Sequence, residues 1–145
     1  VTDAMKILLA ADDSEHTQRA ARHLVKHIGW FAKTPDVLVL HVHPRIPFPG
    51  AAARAGKAAI EDYLRDASEK ALRRATRQLD KGKVAYRTAW TTGDAATEIA
   101  AFAKKNGVDL IAMGSHGEGA FSNLVLGSVA TKVIASVKTP VLVVR

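Results

Sequence analysis

Val108-Asp109-Leu110-Ile111-Ala112-Met113-Gly114-Ser115-His116-Gly117 is an apolar run that ends in two glycines, with Gly127-Ser128 ten positions after the second. Runs of this length with little polar interruption fit strands covered on both faces. Three more runs resemble it, Lys6–Ala11, Asp36–Val42 and Pro140–Val144, and a more interrupted β-branched run, Val84–Trp90, is a fifth strand candidate. Helical spacing fills the intervals. Ala20, Leu24, Ile28 and Phe31 lie on one face, and so do Ile60, Leu64, Ala67, Ala71, Ala75 and Leu79. A third helix starts from Asp94 as N-cap, carries Ile99, Phe102 and Ala103, and stops at Asn106-Gly107. A fourth follows Ser128 with Val129, Val133 and Val137 facing inward, and ends before Pro140. The order βαβαβαβαβ predicts an α/β fold: one doubly wound parallel sheet with right-handed crossovers and helices on both faces. Residues 1–145 read as a single domain.

Pro44–Gly56, with Pro47, Pro49 and Gly50, reads as a mobile loop long enough to carry function. Composition narrows the classes of function. The chain is 48% apolar and 24% charged, ordinary for a globular protein, and no apolar run nears the ~20 residues of a membrane span. Asp12-Asp13 cuts the opening apolar stretch too short for a secretion signal, so a cytoplasmic location is expected. The absence of cysteine removes disulfides, thiolate metal sites and cysteine nucleophiles. The net charge of +7 is concentrated between Arg54 and Arg87, interleaved with Glu61, Asp62, Asp66, Glu69 and Asp80. Pairs such as Asp66/Lys70 and Glu69/Arg73 suit a solvated helix face, and no motif for specific nucleic-acid binding accompanies them.

Ligands of open α/β sheets bind beyond the carboxyl ends of the strands, where the winding reverses. The turn Asp12-Asp13-Ser14-Glu15, the segment after His43 and the glycine turn after Met113 are therefore the places to look. Glycines directly after a strand let backbone N–H groups approach an anion, and Gly127-Ser128 opens a helix whose free N–H groups and dipole favour phosphate. The Ser128 hydroxyl is expected to donate to phosphate and to cap that helix.

Gly114-x2-Gly117-x9-Gly127-Ser128 resembles, at every fixed position, the nucleotide motif of the ATP-binding universal stress proteins. The resemblance covers essentially the whole chain. Ile7 to His16 is similar to the family's first strand and Asp-Gly-Ser turn, Leu40-His41-Val42 to its second strand end, Gly93-Asp94 to the entry of its third helix, and Thr139 to Val144 to its last strand. It implies a Rossmann-like, adenine nucleotide hydrolase-like sheet of five strands in the order 3-2-1-4-5, with ATP, accompanied by Mg or Mn, at the reversal between the first and fourth strands. It implies Asp12 on the ribose, and Ala10 and Val42 bordering the adenine. Met113, Gly114, His116 and Gly117 would wrap the phosphates, while Gly127, Ser128 and Val129 close from the helix end. It also implies a homodimer paired through strand 140–144, consistent with a short apolar edge that needs covering.

Two features depart from the family pattern. Asp13 stands where many relatives have glycine, adding a carboxylate at the rim; and no lysine or arginine occurs between Gly114 and Thr131, where Glu118 adds negative charge. A triphosphate there is expected to rely on backbone dipoles and a divalent ion, with Arg45, Arg54 or Lys57 as compensating cations. No positioned general base stands out, so little or no turnover is expected, at most slow hydrolysis. Nucleotide would act by ordering the Pro44–Gly56 loop and so changing the surface shown to a partner.

Other readings fail on particular residues. A phosphorelay receiver needs an aspartate at the end of its third strand, where this chain has Ala89-Trp90-Thr91-Thr92. A dinucleotide fold needs glycines after strand 1, and a Walker A loop needs a second glycine that Gly127 to Lys132 lacks. His23/His27 and His41/His43 have no carboxylate or third histidine at metalloprotease spacing and read as exposed helix and strand-end residues; Trp30 and Trp90 read as packing residues. Ser115 beside His116 lacks the third group that a catalytic pair needs. The alternative that survives is a protein-interaction module with this fold that does not use ATP.

Overall fold

The computed structural model describes residues 3–46, 50, 54–117 and 125–145. Its strands are β1 (Lys6–Ala10), β2 (Asp36–His43), β3 (Tyr86–Thr92), β4 (Leu110–Gly114) and β5 (Val141–Val144). Its helices are α1 (Glu15–Lys26), α2 (Lys57–Lys81), α3 (Ala95–Lys105) and α4 (Ser128–Ser136), with a 3-10 turn at Ile28–Trp30. The strands form one parallel sheet in the order β3-β2-β1-β4-β5. In β1, Ile7 pairs with Val37 on one side and Leu110 on the other. The winding therefore reverses between β1 and β4.

Alternation along the strands explains the unbroken apolar runs, because both faces are covered. Ile7, Leu9, Val37, Val39 and Ala112 pack against Ala20, Ala21 and Leu24 of α1 and Leu72, Ala75 and Leu79 of α2. Leu8, Leu38, Leu40, Ile111 and Met113 pack against Ala96, Ile99 and Ala103 of α3 and Ala130 and Val133 of α4. The edge strand β3 differs, with Arg87 and Thr88 exposed, so its sequence is more polar.

The boundaries expected from periodicity shift in three places. β3 starts at Tyr86 rather than Val84, because its register is set by Val37 opposite Tyr86. Val84 is buried in the core just before it, after a turn in which Lys83 takes φ 57. α1 stops at Lys26, and Ile28 and Phe31 pack against the core from the 3-10 turn and beyond. α2 buries Ser68 and Leu72 along with Ala71, Ala75 and Leu79, so its inward face is wider than the row expected from periodicity. The ion pairs described on α2's own surface join Arg65 to Glu61 and to Asp62. Pro44, Arg45 and Ile46 lie outside regular structure; 47–49 and 51–53, the rest of the expected Pro/Gly loop apart from Gly50 and Arg54–Gly56, lie outside the described residues, as does Glu118.

Candidate functional site

The carboxyl end of the sheet opens into a crevice of about 680 Å³ between β1 and β4. That size suits a nucleotide-class ligand. Every residue assigned to the site from the sequence lines it: Ala10, Asp12, Val42, Met113, Gly114, His116, Gly117, Gly127, Ser128 and Val129. Ala11, Thr17, Leu40, His41, Pro44, Ala95 and Ile99 complete the wall.

One side is built by side chains. Asp12 Oδ1 accepts from the Ser14 N–H at 3.0 Å, from the Ser14 hydroxyl, and from the Thr17 hydroxyl at 2.8 Å. The Asp12 N–H donates to Thr17 Oγ1 at 2.9 Å, and Ser14 caps α1 by accepting from the Thr17 N–H. The second carboxylate oxygen, Oδ2, faces Gly117 across the crevice, 3.0 Å from where a Cβ on Gly117 would stand. Asp12 is thus held through Oδ1 and lines the crevice beside Gly117. Beside it, His41 is buried and bonded through Nδ1 to the Ala11 carbonyl at 2.8 Å. A carbonyl only accepts, so Nδ1 carries the hydrogen. The expectation that His41 is an exposed strand-end histidine is corrected: alternation turns it towards the α1/α2 side, under the turn.

Asp13 points elsewhere. Its Oδ1 accepts from Arg74 Nε at 2.9 Å, and Arg74 Nη1 donates to Gln18 at 3.3 Å. Asp13 therefore does not line the crevice, and its charge is matched by a cation from α2. Of the Asp12-Asp13 pair expected at the rim, Asp12 lines the crevice and Asp13 does not.

The other side is built by the lack of side chains. A Cβ on Gly127 would stand 3.0 Å from the Ser115 carbonyl, which already accepts from the Gly127 N–H at 2.7 Å. A Cβ on Gly114 would meet His16 Cβ at 2.6 Å and the His16 carbonyl carbon at 2.8 Å. This glycine is required by the packing of α1 on β4, a purpose the motif alone does not reveal. Gly117 meets only the tip of Asp12, so its missing side chain opens space towards the crevice. Ser115 is buried, bonded to His116 Nδ1 at 2.9 Å, and the His116 ring lies 5.1 Å from that of His16.

The helices that begin around the crevice differ at their amino ends. α3 is capped by Asp94, which accepts from the Thr97 N–H at 3.0 Å and the Thr97 hydroxyl at 2.7 Å; these bonds hold its carboxyl below the usual aspartate range. α4 enters from Gly127 with no side-chain cap. Ser128 is the first residue of α4 rather than its cap, because Gly127 takes the extended conformation of the capping position. The Gly127 cap therefore supplies no side-chain acceptor to the first-turn N–H groups of α4.

Comparison with known proteins gives the lineage. The model of the universal stress protein family matches residues 4–145. The chain belongs to that family. Universal stress protein MJ0531 of Methanocaldococcus jannaschii is 32% identical over 140 residues, covering 97% of this chain and 81% of the relative. The solved structure of MJ0577, another universal stress protein of Methanocaldococcus jannaschii, superposes with a TM-score of 0.81 at 27% identity, covering 99% of this chain and 96% of that one. A universal stress protein from Archaeoglobus fulgidus, solved in complex with dAMP, has the same fold, with a TM-score of 0.67 at 20% identity over 99% of this chain and 100% of that one.

Among the further wall residues, the sequence signals for those on the helices were unequal. Thr17 had a legible signal, a hydroxyl in the first helical turn after an aspartate. Ala95 and Ile99 had none, since they reach the crevice only because α3 packs beside α4 on that face. No helix among the described residues is long and apolar enough to cross a membrane.

Proposed function

We propose that this universal stress protein domain, spanning residues 1–145, binds ATP in the crevice, with Mg or Mn on the phosphates, and acts as a nucleotide-dependent regulatory protein with little or no turnover. The observation that carries the reading is the crevice itself. It sits where the winding reverses, and is lined on one side by a fixed carboxylate and on the other by glycines and an uncapped helix end. Asp12 Oδ2 faces the interior and suits a ribose hydroxyl, while Ala10, Val42, Leu40 and Ile99 offer apolar wall to a base. Met113, Gly114, His116, Gly117, Gly127, Ser128 and Val129 form the phosphate end. A divalent ion would offset phosphate charge there, and Arg74 lowers the demand by matching Asp13. Asp12 Oδ1 is engaged by Ser14 and Thr17, which marks the residue as a binding group rather than a base. The dAMP complex of the Archaeoglobus fulgidus protein supports an adenine nucleotide in this fold. A cytoplasmic location and a homodimer joined through strand 140–144 belong to the same reading.

Calorimetric titration of ATP with Mg²⁺ into wild type and Gly117→Val tests it. Wild type is expected to bind, and the variant to lose at least about tenfold in affinity with an unchanged circular dichroism spectrum. A folded, nucleotide-free wild type that takes up no ATP would sink the proposal.

One observation favours a second reading, an interaction module that does not use ATP. β5 ends the sheet with all its residues only partly buried, and Ile134 of the neighbouring layer and Val125 are exposed. Absence of nucleotide binding together with a dimeric mass in light scattering would select it.

A further inference from the structure

Away from the crevice, the carboxyl end of α1 gathers His23, His27 and Trp30. The rings of His23 and His27 are 4.2 Å apart, and Trp30 lies 3.9 Å from His27 and edge-on to His23 at 6.3 Å. Trp30 is 74% exposed, so it is not the core packing residue its size implies. His27 Nδ1 lies 2.9 Å from the His23 carbonyl. Since a carbonyl only accepts, Nδ1 carries the hydrogen and the Nε2 lone pair of neutral His27 is available. A metal-binding histidine characteristically holds its second nitrogen in this way, against a backbone carbonyl.

From these contacts we propose that His23 and His27 form a two-histidine chelate for a divalent first-row transition metal, Cu²⁺ above all, with water completing the shell. The i,i+4 spacing brings both rings to one side of the last helical turn. Two imidazoles bound at about 2.1 Å with a right angle between the bonds place their centres roughly 4.5 Å apart, and a tetrahedral angle places them roughly 5.2 Å apart. The observed 4.2 Å is close to the right-angled value, and among divalent first-row metals imidazole ligands favour Cu²⁺ most and Ni²⁺ next. Lys26 opposes a cation, and the negative end of the α1 dipole offsets it. No set of three metal-ligating side chains exists among the described residues, so the site is an exchangeable surface chelate and not a closed structural one.

The experiment titrates Cu²⁺ alone into the full chain at neutral pH in a non-coordinating buffer, reading tryptophan fluorescence and heat together. Wild type is expected to take up one ion that quenches Trp30. His23→Asn should weaken this event at least about tenfold, and Trp30→Phe should keep the heat while losing most of the quench. Ni²⁺ should bind more tightly than Zn²⁺, and Cu²⁺ should raise the melting temperature of wild type but not of His23→Asn/His27→Asn. An unchanged isotherm and quench in the folded double variant, with the ion held by other histidines, would overturn the proposal. So would a wild type that does not saturate below about 1 mM.

Discussion

The turn after β1 and the turn after β4 face one another across the crevice and hold their shapes by opposite means. After β1, Ser14 and Thr17 fasten Asp12, and Arg74 fastens Asp13. After β4, the chain passes close to His16 at Gly114 and doubles back against Ser115 at Gly127, where a side chain would collide. The first turn therefore presents a directed charge, and the second presents space left by missing side chains. A phosphate ester with a sugar attached needs both. The helices repeat the contrast: α1 and α3 are capped by Ser14 and Asp94, while α4 has glycine at the capping position, which offers no side chain for it.

Substitutions at the glycines should break this contrast most severely. Gly114→Ala drives a Cβ into His16 backbone and is expected to cost about 3 kcal/mol in urea denaturation. Gly117→Ala, which meets only the end of Asp12, should cost less than about 1 kcal/mol. Equal losses at the two positions would remove the distinction between a packing glycine and a ligand-facing one.

A smaller effect is expected at Arg74. Its pair with Asp13 is partly exposed, so Arg74→Ala should lower stability by less than about 1 kcal/mol. The unmatched Asp13 carboxylate should nevertheless weaken ATP several-fold while leaving adenosine unaffected, and Asp13→Gly in the same chain should restore ATP. Equal weakening of ATP and adenosine would point to a general distortion of the turn instead.

The smallest effect concerns the capped helix. The Thr97 hydroxyl and N–H hold Asp94 below its ordinary value, so its contribution is present above about pH 4 and is lost as pH falls through the lowered value. Asp94→Ala should therefore be slightly less stable than wild type at neutral pH, with the gap closing in acid. An Asp94 resonance titrating at or above the usual aspartate range in NMR would contradict the capping account.

Much of the fold was legible because burial on both faces leaves little choice of residue. Ile7, Leu8 and Leu9 are all inaccessible, and a run of that kind reads as an interior parallel strand. The spacing of Gly114, Gly117 and Gly127 was equally legible, since backbone approach at fixed positions admits few substitutes. Edge strands and helix ends were less so: β3 is half solvated, and its limits follow from pairing with β2 rather than from its own pattern. Histidine and tryptophan misled in both directions. His41 is buried and Trp30 exposed, because an amphipathic ring is stable in either setting and the surrounding elements choose.

Alternation, caps and glycine spacing are local, short-range constraints, and the sequence by itself therefore determined the α/β order, the Asp94 cap and the turns after β1 and β4 as the place of the crevice. The direction of the Asp13 charge, the arrival of Ile99 at the wall and the burial of His41 depend on contacts made only after packing. Arg74 reaches Asp13 from 61 positions along the chain. No local pattern encodes such a pair, because its distance is set by how α2 lies against α1, and only the tertiary structure decided it.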